Sequence, residues 1–476
     1  MSFLKTAVAA VVAAAATKVR ILGLSSLPEK GTLPQMKPFV CGFCALLLSF
    51  THSTAETVRD REGAVRGDRA AMENDARWIY NDVQRGFEEA QKTGKPLLVV
   101  LRCVPCVSCM GIDASVLQDP GLTTLLDQFV CVRLINANAI DLSLFQFDYD
   151  LSFSTLFFNG DGTVYGRYGS WRHQKDPQDK TTQGYQRALE GALALHQDYP
   201  ANKASLTGKR GGPTPFKTPV EIPSLAQKYG RELDWQGKVV QSCVHCHMVG
   251  DAFRAAYHDR GDPVPEQWIY PQPAPETAGI TLAADAAARV EAVAPGSPAA
   301  SAGIAAGDEI LSLDGQPLIS IADFSWVLHR APDPATLNAT IRRSGGAEVT
   351  VMLALAPGWR SHTDISKRVG TWGMRGMACG GLVLEDLSDD DRTSRGLDIK
   401  KMALWVKGLG QFGKHGAAKK AGFQKEDVVI ALGGLSQRMT ESELIGYLLQ
   451  NYKVGDQIKA TVLRMGKEVS LVLPIQ

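Results

Sequence analysis

Two stretches of this chain carry residues able to do chemistry. In the first, Leu97-Leu98-Val99-Val100-Leu101-Arg102 runs into Cys103-Val104-Pro105-Cys106-Val107-Ser108-Cys109-Met110. The apolar run reads as a buried strand, and three cysteines spaced by three stand where it meets a helix-compatible segment. A thiol at such a junction lies near helix N-terminal amides, which favour its thiolate. The second thiol of the Cys-x-x-Cys then resolves a mixed disulfide. Three thiols on an open face also suit a soft ion such as copper(I) or zinc. The second stretch is Ser242-Cys243-Val244-His245-Cys246-His247-Met248. Cys-x-x-Cys-His is the attachment spacing of c-type haem, with thioethers at Cys243 and Cys246 and His247 on the iron. No methionine falls between Met248 and Met352, which leaves His258 as the nearby sixth ligand. A zinc site of Cys243, Cys246, His247 and His258, or a second dithiol, are the alternatives.

The elements around the first stretch must hold its thiols in place. Trp78 to Lys95 reads as an amphipathic helix, Lys95-Pro96 opens the strand, and Asp119-Pro120-Gly121-Leu122 closes the helix after the cysteines. Phe129 to Ile135 reads as a strand. Leu156–Phe158 and Val164–Tyr168, joined by Asn159-Gly160-Asp161-Gly162, read as a hairpin. On these residues 76–198 resembles a thioredoxin-like domain. The resemblance implies that Cys106 attacks and Cys109 resolves, with Cys103 an extra thiol that could pair with Cys106 instead. It departs from the family at two places. Serine, in Ser154-Thr155-Leu156-Phe157, stands where the cis-proline is usual, and Val100 stands where a buried carboxylate is usual.

A chain of 476 residues suggests three or four domains. Its net charge of +1, with no basic stripe, gives no electrostatic case for nucleic acid. The nine cysteines fall into two clusters plus Cys41, Cys44, Cys131 and Cys379, a pattern of site chemistry rather than a disulfide scaffold. Cys131 and Cys379 lie in apolar contexts and read as inert. Residues 1–55 read as an N-terminal extension and a signal peptide, with the real start at Met36. Lys37 precedes the apolar run Phe39 to Phe50, and Ser53-Thr54-Ala55 offers cleavage before Glu56. That run is shorter than the ~20 residues a bilayer demands, so the mature chain is expected in the periplasm or beyond, with no membrane span. Residues 199–223, rich in Pro, Gly, Lys and Thr, read as a linker. Residues 224–276 hold the Cys-x-x-Cys-His motif. Gly237 to Ser242 resembles the first helix of a small cytochrome c, and Gly261 to Pro275, with Trp268-Ile269-Tyr270-Pro271, reads as a loop over a macrocycle.

The last half repeats itself. Ala302-Gly303-Ile304-Ala305-Ala306-Gly307-Asp308-Glu309-Ile310 recurs as Ala421-Gly422-Phe423-Gln424-Lys425-Glu426-Asp427-Val428-Val429, with Glu426 in place of the glycine. With Gly296-Ser297-Pro298-Ala299 ahead of the first copy, residues 277–357 and 378–476 resemble two PDZ domains. That implies a peptide or protein tail added as a strand beside Gly279-Ile280-Thr281-Leu282 and Gly381-Leu382-Val383-Leu384, facing helices at Ile321–His329 and Glu441–Leu449. The alternative is closed grooves and modules that act as spacers. No Gly-x-Ser-Gly-Gly or Gly-x-Ser-x-Gly is present, so protease activity is not expected. The order of modules resembles the bacterial thioredoxin/PDZ-domain (seleno)proteins. The expected fold class is multidomain α/β plus mainly β, a thioredoxin-like domain followed by two PDZ domains. The expected function is an exported thiol–disulfide oxidoreductase whose PDZ modules bring client or redox-partner tails to Cys106. Two alternatives stand beside it: a haem c electron-transfer protein, and a non-catalytic PDZ adaptor with a metal-binding thioredoxin-like domain.

Overall fold

The structure, a computed structural model, describes residues 60–104, 119–151, 153–169 and 182–476. The expectations at 1–55 and at Cys106 and Cys109 lie outside these residues. Helix α1 (Arg61–Glu73) begins at Asp60, whose side chain accepts from Gly63 N. The helix expected over Trp78–Lys95 divides into strand β1 (Trp78–Tyr80) and helix α2 (Val83–Thr93). Asp82 accepts from Arg85 N and so starts the helix there, while left-handed Gly94 ends it. Three residues are too few for strand alternation to show in sequence.

Strands β2 (Leu97–Arg102), β3 (Val130–Leu134), β4 (Phe153–Phe158) and β5 (Val164–Tyr168) complete a sheet ordered β1-β3-β2-β4-β5. The pairs β1·β3 and β2·β3 are parallel, and β4 and β5 form the antiparallel hairpin. All of β2 is buried because it is covered on both faces. Leu97, Val99 and Leu101 join Phe145 and Phe158, whereas Leu98 and Val100 join Phe157, Tyr185 and Leu189 of helix α3 (Thr182–Gln197). Val100 is therefore a plain core residue. Asp119 accepts from Gly121 N and opens a turn over Pro120–Leu122, where a helix end was expected.

Residues 199–223 are not slack. Lys209 is 1% exposed and paired with equally buried Asp323 at 2.8 Å, and Trp326 Nε1 donates to Gly208 O. The glycines of this stretch leave room for close neighbours. A Cβ on Gly208 would meet Gln316 at 2.7 Å. Helix α4 (Cys246–His258) follows, lying against the first sheet.

Two units with the same wiring come next. The first has β6 (Ile280–Leu282), β7 (Val290–Val293), β8 (Glu309–Leu313), β9 (Gln316–Pro317), helix α5 (Ile321–Arg330), β10 (Ala335–Arg342) and β11 (Glu348–Leu355). An Arg289–Glu309 bridge links its β6-β7 pair to the sheet β11-β10-β8-β9. The second has helix α6 (Val369–Cys379), β12 (Leu382–Asp386), β13 (Leu404–Leu409), β14 (Val428–Leu432), helix α7 (Glu441–Asn451), β15 (Gln457–Arg464) and β16 (Lys467–Pro474), in a sheet ordered β12 to β16. Their repeated segments share hydrogen bonds. Asp308 accepts from Ala305 N and pairs with Arg343, as Asp427 accepts from Gln424 N and pairs with Arg464. Glu426 adopts φ +74°, the left-handed backbone that Gly307 adopts at +88°. Helix α6 has no counterpart in the sequence reading. No described helix is long and apolar enough to cross a membrane.

Candidate functional site

Strand β2 ends at Arg102, so Cys103 is the first residue off the sheet. Its Sγ lies 2.9 Å from Nδ1 of His245, 142 positions further along the chain. His245 is the residue just before α4, and the elements around it explain how it gets there. Fully buried Asn138, on the loop after β3, donates to Gly230 O and Ser242 O and accepts from Val244 N. Glu62 of α1 accepts from Val239 N and Val240 N at 3.0 Å each. The Cys-x-x-Cys-His segment is thus clamped from two sides against the end of β2. Cys243 Sγ donates to Ile135 O at 3.5 Å. Cys103, Cys243, His245 and Cys246 line one cleft of about 20 Å³, closed by Val65, Leu101, Ile135 and Val239.

Burial governs the thiols. It pushes Cys243 up to about 11 and Cys246 up to about 12. It also pushes Cys131 up to about 12 and Cys379 higher still, which makes both inert. Ser154 pairs with Leu101 inside the ladder and donates to Tyr168 O, so it packs within the sheet.

The ligand set expected for iron or zinc does not assemble. His247 and His258 sit eleven positions apart on the continuous helix α4, about 16 Å along its axis at ~1.5 Å per residue. His247 is half-exposed beside Asp251, and His258 is buried with Nε2 2.9 Å from Gln476 O. The two cannot share an ion. The 20 Å³ cleft is far below the ~300–1,000 Å³ of a cofactor pocket, and Cys246 lies in the core with Leu101, Leu134 and Val249. These residues do not fit a macrocycle. The loop expected to cover one packs elsewhere: Trp268 stacks on Phe253 at 4.0 Å, and Tyr270 Oη donates to Ser442 O. Among the described residues no group of three or more His, Cys, Asp or Glu is placed to hold a metal.

The four residues expected as the first peptide edge form Gly279, left-handed at φ +81°, and strand β6, Ile280-Thr281-Leu282, which pairs with β7 on one side. Between β6 and α5 opens a cavity of about 650 Å³ lined by Leu282, Ile321, Ala322 and Ser325. Ser154 and Arg167 of the first sheet, with Gly169 just past β5, line it as well. Arg368, bonded to Asp148 and Asp150, adds a buried cation, and burial pushes Asp148 up to about 6. The second edge, Gly381-Leu382-Val383-Leu384, is different. Gly381 N donates to Arg375 O, and Leu384 N donates to Glu441 Oε1 at 2.8 Å. Glu441 is 4% exposed and held by Arg375, while Met374, Met377 and Cys379 of α6 pack in one core with Leu382, Leu384 and Ile445. The expectation of an open peptide edge here is corrected: the chain itself occupies it.

The contact sequence reasoning missed is Cys103–His245. The sequence reading gave His245 no role, since no spacing rule links residues so far apart.

Two family descriptions match the chain. Residues 78–160 match thioredoxin-like, and residues 289–343 match a PDZ domain. The chain is a mixed α/β protein of several sheets that contains a thioredoxin-like domain and a PDZ domain. No curated protein matches it. Solved structures similar to it include an HtrA-type protease AlgW with decapeptide, at 15% identity over 30% of this chain and 49% of that chain, with TM-score 0.20. Another is the same protease with tripeptide, at 16% identity over 30% and 51%, with TM-score 0.18. The chain covers about half the length of these structures.

Proposed function

We propose that this protein is an exported thiol–disulfide oxidoreductase in which Cys103 is the working thiol and a PDZ groove presents the polypeptide to be handled. The observation that carries the reading is the 2.9 Å contact between Cys103 Sγ and His245 Nδ1. A neutral imidazole at that distance accepts the thiol proton, and the imidazolium so formed holds the thiolate ready to attack a disulfide. Cys106 is then the resolving thiol, one Cys-x-x-Cys earlier than the pair Cys106 and Cys109. Support for peptide handling is the cavity between β6 and α5, which Ser154 and Arg167 of the first sheet also line. A tail lying along β6 would rest within reach of that sheet. The C-terminal unit, 378–476, is read as a second PDZ-type module that acts as a spacer, because its own Glu441 fills the edge.

The test is alkylation at graded pH followed by peptide mapping, with insulin reduction alongside. Cys103 should react at lower pH than Cys106. His245→Ala should slow Cys103 alkylation at neutral pH about tenfold, the effect of one pKa unit. Cys103 labelling that is indifferent to His245, with insulin turnover surviving Cys103→Ser, would sink the assignment.

A further inference from the structure

The groove on β6 and the thiol of Cys103 meet the same end of the first sheet. Leu282 ends β6, while Ile321 and Ala322 open α5, and all three line the cavity. They mark one end of the groove, and that end is pinned to the edge strand β5. Ser320 Oγ donates to Arg167 O, and Asp323 Oδ1 accepts from Arg167 N at 3.1 Å. Two residues on, Gly169 lies against Ser154, whose Cα is 3.3 Å from where a Cβ on Gly169 would stand. Ser154 is paired with Leu101 of β2, and Cys103 is two residues past Leu101. Four residue rises along the strands and two strand spacings across them thus separate Arg167 from Cys103, about 16 Å.

A tail with its C-terminus at Gly279 would leave the groove past Leu282, toward Arg167 and Gly169. Extended chain covers ~3.3 Å per residue, so fewer than about five residues cannot bridge the gap. A flexible segment matches it at about eight or nine residues, since its span grows as ~5–6 Å times the square root of their number. We infer that the substrate is a polypeptide whose disulfide lies about five to nine residues upstream of the tail held on β6. The inference rests on the proposed groove and on Cys103 as the working thiol. Cys103 is half-buried, so a substrate reaches it without opening the core. Its sulfur attacks the sulfur of the substrate cysteine. A Cys103–substrate disulfide forms and the substrate's own S–S bond breaks. The other substrate sulfur leaves as a thiolate with that bond's electron pair, and the proton of Cys103 goes to His245 Nδ1. A cysteine closer to the tail is held short of the thiol, and one much farther away is tethered at a lower effective concentration.

The experiment uses the full, unaltered chain, so it needs no variant to fold. The probes are synthetic peptides with one short apolar tail, to suit Leu282 and Ile321, and one cysteine carried as its mixed disulfide with thionitrobenzoate. Gly/Ser spacers of about two, eight and thirty residues separate cysteine from tail. At low peptide concentration, thionitrobenzoate release should be at least about tenfold faster with the middle spacer than with the short one, and several-fold faster than with the long one. An excess of the same tail without cysteine should erase these differences. In Cys103→Ser the release should vanish at every spacing. Release that depends on Cys103 but is equal at all spacings overturns the inference and leaves the oxidoreductase standing. Release that survives Cys103→Ser overturns Cys103 as the working thiol, and the inference with it.

Discussion

The two C-terminal units differ at one place that decides what each can bind. Both start their groove helix directly after a hydroxyl cap, Ser320 in one and Thr440 in the other. The first helical residue is Ile321 in the first unit and Glu441 in the second. Ile321 leaves a cavity of about 650 Å³ beside β6. Glu441 reaches across to Leu384 N and supplies, from inside the chain, the acceptor that a peptide strand would bring. A buried carboxylate is tolerable there only because Arg375 of α6 meets it with Nε and a terminal nitrogen. The same strand order and the same aspartate–arginine brace thus yield one receptive groove and one sealed one. Topology sets where a groove lies, and Glu441 together with Arg375 and the apolar face of α6 fills it in the second unit.

The largest test of that contrast is Glu441→Ala. It strands nearly buried Arg375 and frees Leu384 N, and should cost about 3–5 kcal/mol in denaturant unfolding. Pairing it instead as Arg375→Met/Glu441→Ile should restore most of that stability and let the second unit retain a labelled C-terminal peptide. If the double variant stays as unstable as the single one, Glu441 is more than a plug. Next in size, Ile321→Glu copies the second unit into the first. Peptide affinity, read by fluorescence anisotropy, should fall by more than about tenfold, and thermal stability should fall with it because Ile321 is a buried core residue. Unaltered affinity would mean that ligands do not use the edge of β6.

The smallest effect concerns pH. Asp148, on the wall of the open groove, has its carboxyl pushed by burial from 3.8 up to about 6. Between about pH 4 and pH 6 the folded chain holds a proton that the unfolded chain has lost. The contribution of Asp148 to stability is therefore full below that window and declines as pH rises through it. Asp148→Asn should flatten the decline in a series of urea melts. A slope that persists in the variant assigns it to other groups.

Much of this was legible in the sequence and some of it was not, for reasons that particular residues make plain. The run Leu97–Leu101 betrayed its strand because a strand covered on both faces is apolar along its length. The repeat was readable down to Glu426, whose backbone obeys the glycine it replaces. Cys243, Cys246 and His247 read as haem ligands because spacing is local, whereas the fit of a macrocycle depends on Leu101 and Leu134, which come from elsewhere in the chain. His245 was overlooked for the same reason, since its partner is supplied by another element altogether. Glu441 stood in the sequence only as the first residue of a groove-facing helix, and its bond to Leu384 N depends on a strand from elsewhere in the chain.

The Lys209–Asp323 pair has a bearing on how such a chain can be divided. Asp323 sits on the groove helix, yet its carboxylate also accepts from Arg167 N in β5 and Ile319 N, and the ammonium it meets comes from the crossing between the domains. A chain divided between 209 and 223 would give each half one member of a buried charge pair. The PDZ domain here is not an independent cassette. The buried pair joins its groove helix to the stretch that leaves the thioredoxin-like domain, so separating the two halves would leave an unanswered charge on each.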